Sequence, residues 1–361
     1  MRWDIFCRVI DNHGDAGVCW RLAAQLARRG EAVRLFIDDA SPIAWMAPQG
    51  EPGVQVLPWN AAEAAELPGG AGDVVVEAFG CELPVRVQAA IARAAHERGH
   101  APAWLNLEYL SAEPWVARTH GLPSPVTHGP AQGLRKHFFY PGFTPGTGGL
   151  LREPGAGREG PAPDAAQWLA DHGIPHADGE RRVSLFCYEP TALGALLQGL
   201  AGGPTTRLLV TAGRATAATR AATDRLDVQA PGWNAAGRLR LSFLPLVPQD
   251  DFDRLLGVCD FNFVRGEDSL VRALWAGVPF CWQLYPQDDG AHEAKLAAFL
   301  DWLQPTADWR ALFEAWNGLP AALPALAPQA WQPAMQAARA RLLAQDDLVT
   351  QLLRFVQALR A

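Results

Sequence analysis

Apolar and polar positions along the chain fall into blocks that predict strands alternating with amphipathic helices. Residues 5–10 form an apolar run of strand composition. A polar turn follows, then helical spacing over 18–29 closed by Gly30, then another apolar run over 32–37. That is a βαβ unit with its loop at the carboxyl end of the first strand. Further strands are predicted over 73–77 and 104–107, the latter ending at Glu108, with a helix over 85–98 between them. In the second half, strands are predicted over 182–187, 207–211, 239–243, 259–264 and 280–284, and a helix over 249–256 behind Pro248. From Asp308 onward the spacing and alanine content are helical.

The pattern breaks once. Residues 144–163, TPGTGGLLREPGAGREGPAP, are too rich in glycine and proline for a helix or strand of any length. They are expected to be an interdomain linker or a mobile surface loop. The predicted fold class is α/β, with two facing Rossmann-like domains, parallel sheets and ligands in the interdomain crevice at the strand ends. The expected domains are residues 1–150 and 160–340, both Rossmann-like. A C-terminal helix over 341–361 would cross back to the first domain.

Size and composition agree with this picture. A chain of 361 residues, 49% hydrophobic and 19% charged, suits two globular domains. A net charge of −7 argues against a nucleic-acid partner, which needs basic faces. Six dispersed cysteines without a CxxC pair read as buried free thiols in a reducing compartment. Acidic residues sit where a signal peptide needs an apolar stretch, and no run reaches membrane-spanning length. The expected location is cytoplasmic, away from membranes.

Two stretches carry chemistry. CDFNFVRGEDSLVRALWAGVPFCWQLYPQDDG, residues 259–290, reads as a strand, the polar loop Arg265-Gly266-Glu267-Asp268-Ser269, a helix closed by Gly277 and a second strand. Unpaired N–H groups at a helix start, with an arginine before them, suit a phosphate or pyrophosphate. Glu267 and Asp268 suit the hydroxyls of an attached sugar, so the guest would be a nucleotide sugar. An ordinary helix start with solvated carboxylates fits the same letters.

The second stretch is Asp11-Asn12-His13-Gly14-Asp15-Ala16-Gly17. It is not a GxGxxG fingerprint. Paired carboxylates there suit a guanidinium, which one can orient while another removes its proton. Asp15 as a helix N-cap is the alternative. His13 is either a neutral-range titrating group or a solvated loop residue. No His/Cys/Asp cluster has the spacing of a metal site, so no metal or resident cofactor is expected. Phe186 and Tyr188 at a strand end, with Gln249 and Phe252 opening a helix, suit a stacked pyrimidine or, equally, core packing.

Five blocks in order, WDIFCRVIDNHGDAGVCWRLAAQLA, WLNLEYLSAE, HFFYPGF, PQDDFDRLL and CDFNFVRGEDSLVRALWAGVPFCWQLYPQDDGAHEAKL, resemble EarP. This is the family of protein-arginine rhamnosyltransferases that modify elongation factor P. The resemblance implies a GT-B fold and inverting, metal-independent transfer from the co-substrate dTDP-β-L-rhamnose to one arginine of elongation factor P. By motif, Asp15 is similar to the general base, Asp11 to a support of the acceptor or donor site, and Glu267 to the other essential carboxylate. Arg265, Gly266, Asp268 and Ser269 would hold the diphosphate and sugar, with Asn12 and Gly14 in the donor set. Phe186, Tyr188, Gln249 and Phe252 resemble the thymidine pocket and Tyr285 a diphosphate contact. The family usually has an aromatic residue where this chain has His13. Competing readings are a GT-B transferase acting on a small molecule or glycan, and a noncatalytic partner of the translation machinery.

Overall fold

Strand β1 (Arg2–Cys7) is buried on both faces and organises the first sheet around itself. Trp3, Ile5 and Cys7 face one apolar cluster and Phe6 another, the period-two alternation of a strand with helices on either side. The one charged side chain on β1 with no exposure, Asp4, receives both arms of Arg34 at 2.7 and 2.6 Å. Paired in this way, a buried carboxylate is tolerated.

The computed structural model describes residues 1–9, 13–63, 67–155, 164–175, 177–287 and 290–360. The chain divides into two compact units, Met1–Pro154 with Ala344–Ala361, and Gly155–Leu343.

In the first unit β1 is followed by α1 (Gly14–Arg28), β2 (Ala32–Ile37), α2 (Ser41–Met46), β3 (Val54–Pro58) and α3 (Trp59–Glu63). Then come β4 (Val74–Ala78), α4 (Val85–Arg98), β5 (Ala103–Leu107), α5 (Pro114–Thr119), β6 (Pro123–Pro125) and β7 (Arg135–Phe139). The sheet order is β3-β2-β1-β4-β5-β7-β6, parallel except for β6. Ile5 lies between Leu35 and Val76 in register.

The second unit runs α6 (Ala165–Asp171), β8 (Arg181–Leu185), α7 (Leu193–Gly202), β9 (Thr206–Val210), α8 (Arg214–Gln229), β10 (Leu239–Phe243) and α9 (Gln249–Val258). It continues through β11 (Phe261–Arg265), α10 (Gly266–Ala276), β12 (Phe280–Gln283), α11 (Ala291–Leu303), α12 (Ala307–Trp316) and α13 (Pro328–Leu343). Its five strands are all parallel, in the order β10-β9-β8-β11-β12. The last helix, α14 (Leu348–Arg360), packs in the first unit, where Leu348, Val349, Leu352 and Val356 join the β1 cluster. Among the parallel strands of each sheet the order reverses once, between β1 and β4 and between β8 and β11, and such switch points open a crevice at the strands' carboxyl ends.

Several expectations need correction. Helix α1 begins at Gly14 rather than Val18, because burial of Ala16 and Cys19 outweighs the glycines' poor helix propensity. The RGEDS stretch is not a loop. Arg265 ends β11, and residues 266–269 are the first turn of α10. Gly266 enters that helix at φ +64°, a conformation that favours glycine. Strands β3, β6 and β7 went unpredicted, since their burial does not follow a clean alternation. The first part of the glycine- and proline-rich stretch belongs to the first unit. Gly148 N–H donates to Tyr140 O at 2.7 Å, Leu348 N–H to Leu150 O at 2.9 Å, and Arg21 to Glu153 at 2.9 Å. Residues 156–163 lie outside the described part.

Candidate active site

The switch point of the second unit gathers aromatic and cationic side chains from four strand ends. Past β8 the chain runs through Phe186, Cys187, Tyr188 and Glu189. Arg265 ends β11, Tyr285 follows β12, and Arg214 opens α8 just past β9. The Arg265 guanidinium carbon lies 4.4 Å from the Phe186 ring centroid and 4.5 Å from that of Tyr188. Its Nη1 donates to Cys187 O at 3.1 Å. A guanidinium stacked on two rings and tied to a carbonyl is held in one orientation.

The array extends on both sides. Phe252 from α9 meets Phe186 edge-on at 5.5 Å, and Tyr285 meets Tyr188 edge-on at 5.3 Å. Gln249, in the first turn of α9, is 9% exposed. Tyr188 is buried at 3% exposure and its N–H donates to Gln283 Oε1 at 2.8 Å, while Tyr285 stays half exposed. Thus Phe186, Tyr188, Phe252, Arg265 and Tyr285 form one connected set.

Two members of this neighbourhood were not foreseen. The Arg214 guanidinium carbon stands 4.8 Å from the Tyr188 centroid, and its Nε donates to Glu189 Oε1 at 2.8 Å. That bond holds the Glu189 carboxyl below its usual range and pushes Arg214 up. Arg214 follows Gly213 in an unremarkable alanine-rich helix, so only the sheet order brings it to the site.

The first turn of α10 supplies the carboxylates. Glu267 Oε1 accepts from Lys295 Nζ of α11 at 2.6 Å. Asp268 lies 3.7 Å from Arg272, one turn along the same helix. Ser269 Oγ accepts the Arg265 N–H at 3.0 Å and donates to the Arg265 carbonyl. Its hydroxyl therefore locks the strand-to-helix junction that aims Arg265. Asp268 and Ser269, expected as ligand contacts, both have protein partners here.

In the first unit, Asp15 is the second residue of α1 and is 3% exposed. The N-cap is His13, so the N-cap alternative for Asp15 does not hold. Gly14 is the first helical residue. The exposed His13 meets Trp45 edge-on at 5.9 Å. Asp11 and Asn12 lie outside the described residues. One turn after Asp15, the Cys19 thiol is pushed well up by its hydrogen bond to Cys7 and by burial, with Asp15 adding to the shift. At the carboxyl ends of β4 and β5, buried Glu77 pairs with Lys136 at 3.0 Å and Glu108 accepts from Asn106 at 2.7 Å. Burial pushes the Glu108 carboxyl up despite that bond.

Among the described residues, no group of three or more His, Cys, Asp or Glu side chains assembles to hold a metal ion. No described helix is long and apolar enough to cross a membrane. All six cysteines are free and buried.

Comparison with known proteins finds relatives that match nearly the whole chain. The family model for the elongation factor P (EF-P) rhamnosyltransferase EarP matches residues 3–357. The protein-arginine rhamnosyltransferase of Pseudomonas putida is 46% identical, covering 98% of both chains. A solved EarP structure, from work on EarP-mediated arginine glycosylation of translation elongation factor EF-P, superposes with a TM-score of 0.61 at 31% identity over 99% of both chains. The Anabaena protein HepE, solved with UDP and glucose, shares the fold at a TM-score of 0.52 and 15% identity, over 100% of this chain and 99% of its own. The two doubly wound units are those of a GT-B glycosyltransferase. From the match over nearly its whole length and the 46% identity, the chain belongs to the EarP family of elongation factor P rhamnosyltransferases.

Proposed function

We propose that the chain transfers L-rhamnose from dTDP-β-L-rhamnose to an arginine of elongation factor P, with inversion at the anomeric carbon. The observation that carries the donor half is Arg265, stacked between Phe186 and Tyr188 at the switch point where β8 and β11 diverge. Phe186, Tyr188, Phe252 and Gln249 would take the thymidine, aromatic rings and an amide being suited to stacking and edge recognition. Arg265 and the first-turn N–H groups of α10 would take the diphosphate, which leaves with a full negative charge. Tyr285 would add a hydroxyl to that group. Glu267 would face the sugar, with Gly266 allowing close approach of the backbone.

The acceptor half rests on Asp15. A guanidinium nitrogen attacks C1 of rhamnose, a C–N bond forms, and the C1–O bond breaks with its electron pair going to the dTDP phosphate. The proton lost by the guanidinium goes to the Asp15 carboxylate. Without such a base, a group with a pKa above about 12 offers almost no free nucleophile near neutrality. Asp11 would support the acceptor or donor site, and Asn12 and Gly14 would belong to the donor set. Six buried free thiols suit a reducing cytoplasm as the setting.

The test is direct. The chain is mixed with dTDP-rhamnose and purified elongation factor P, and the acceptor is weighed intact and after digestion. One deoxyhexose on one arginine is the expected product. An unmodified factor beside a modified small-molecule or glycan acceptor would overturn the assignment.

A further inference from the structure

Lys295 contacts a carboxylate of the candidate site, yet it sits on a helix that carries none of the proposed donor residues. Its Nζ is 2.6 Å from Glu267 Oε1, and the two side chains are only 22% and 18% exposed. The lysine is not placed by that bond. Helix α11 buries Leu296, Phe299, Leu300 and Leu303, which fix the helix, and Lys295 adjoins the first of them. The two carboxylates of the first turn of α10 are treated differently. Asp268 has Arg272 from its own helix at 3.7 Å, whereas Glu267 is held by a cation from a separate element. A side chain at the second position of a helix can fold back toward its own first-turn amides. An ammonium arriving from another helix gives the carboxylate a fixed direction instead.

We infer that Lys295 is a positioning residue for the transfer, acting through Glu267 by holding its carboxylate in a fixed direction. The inference rests on the reading of Glu267 as a catalytic carboxylate. Hydrogen bonds to charged groups of this kind typically change an equilibrium or rate by about 10–100-fold. On this inference the lysine acts on the carboxylate rather than on the nucleotide, so its loss falls on turnover.

The experiment uses the full chain with dTDP-rhamnose and elongation factor P. Lys295→Met should lower kcat about tenfold or more, while the donor KM and the dTDP Kd stay within about twofold. Lys295→Arg should recover most of the lost turnover, since its cation can reach the same oxygen. In a Glu267→Gln background, Lys295→Met should add less than about threefold, because there is no carboxylate left to aim. Lys295→Gln serves as a second truncation should the methionine variant fail to fold. An unchanged kcat in Lys295→Met overturns the inference. So does a loss confined to donor KM, which would make the lysine a diphosphate ligand. Losses that multiply in the double variant would mean it acts independently of Glu267, again against the inference. If Glu267→Gln is inactive and Lys295→Met fully active, only the positioning role falls. If Glu267→Gln itself turns over normally, the catalytic reading falls and takes the inference with it.

Discussion

Arg265 and Tyr188 come from different strands, and the guanidinium carbon of one lies 4.5 Å from the ring centroid of the other. The relationship depends on β8 and β11 being neighbours, since Tyr188 follows the first strand and Arg265 ends the second. It couples the charge of the proposed diphosphate site to the rings of the proposed base site. Arg265→Lys would keep the charge but lose the planar stack and the aimed bond to Cys187 O. Such a stack is worth about 0.5–2 kcal/mol, so dTDP should bind roughly 3–30-fold more weakly. Calorimetry on the two proteins checks this. Equal affinities would show that only the charge at this position matters.

Arg214 should separate binding from stability. Its ion pair with Glu189 is largely solvent-exposed, with side chains 35% and 53% accessible, and pairs of that kind contribute less than about 1 kcal/mol. Yet the same guanidinium is the second cation over the Tyr188 ring. Arg214→Ala should therefore leave the melting temperature nearly unchanged and weaken dTDP binding. A large fall in melting temperature with intact dTDP affinity would instead make it a structural brace.

Glu108 gives a pH-dependent prediction. Burial pushes its carboxyl up in the folded chain, so ionising it costs more there than in the unfolded chain. Stability from this group is fully present below the ordinary carboxylate range and is lost as pH rises through it. Glu108→Gln keeps an oxygen to accept the Asn106 bond and has no charge to desolvate. It should melt higher than the parent at about pH 7.5 and alongside it near pH 4. A variant that melts lower at neutral pH would mean that the charge is compensated after all.

The strands were largely legible because most are buried on both faces, and apolar runs such as VVV at 74–76 and LFI at 35–37 leave few alternatives. Residues 32–37 and 239–243 were placed to the residue. The start of α1 was not, because Gly14 and Gly17 read as turn residues while tertiary burial of Ala16 decides the matter. Of the candidate site, Phe186, Tyr188, Phe252, Arg265 and Tyr285 are expected from three separate stretches, and the sheet brings them into one set of contacts. Arg214 and Lys295 were missed for one reason. Their contacts run across the sheet or between helices, and nothing in the local spacing of TAGRAT or AHEAKL marks them.

Asp15→Asn gives the sharpest division between chemistry and structure. The change is nearly isosteric and leaves hydrogen-bonding capacity in place at a position that is 3% exposed. As the second residue of α1, Asp15 also meets the positive end of the helix dipole, an interaction of about 0.3–1 kcal/mol that asparagine forfeits. That loss would appear as a small drop in melting temperature and nothing more. If Asp15 is the base, removing it costs about 10²–10⁴ in rate. The variant should therefore fold, bind dTDP-rhamnose as the parent does, and transfer almost nothing to elongation factor P. Intact-mass kinetics, melting curves and calorimetry on one preparation distinguish the two roles. Near-normal transfer with a slightly lowered melting temperature would assign Asp15 to the helix, and the search for the base would move to Asp11.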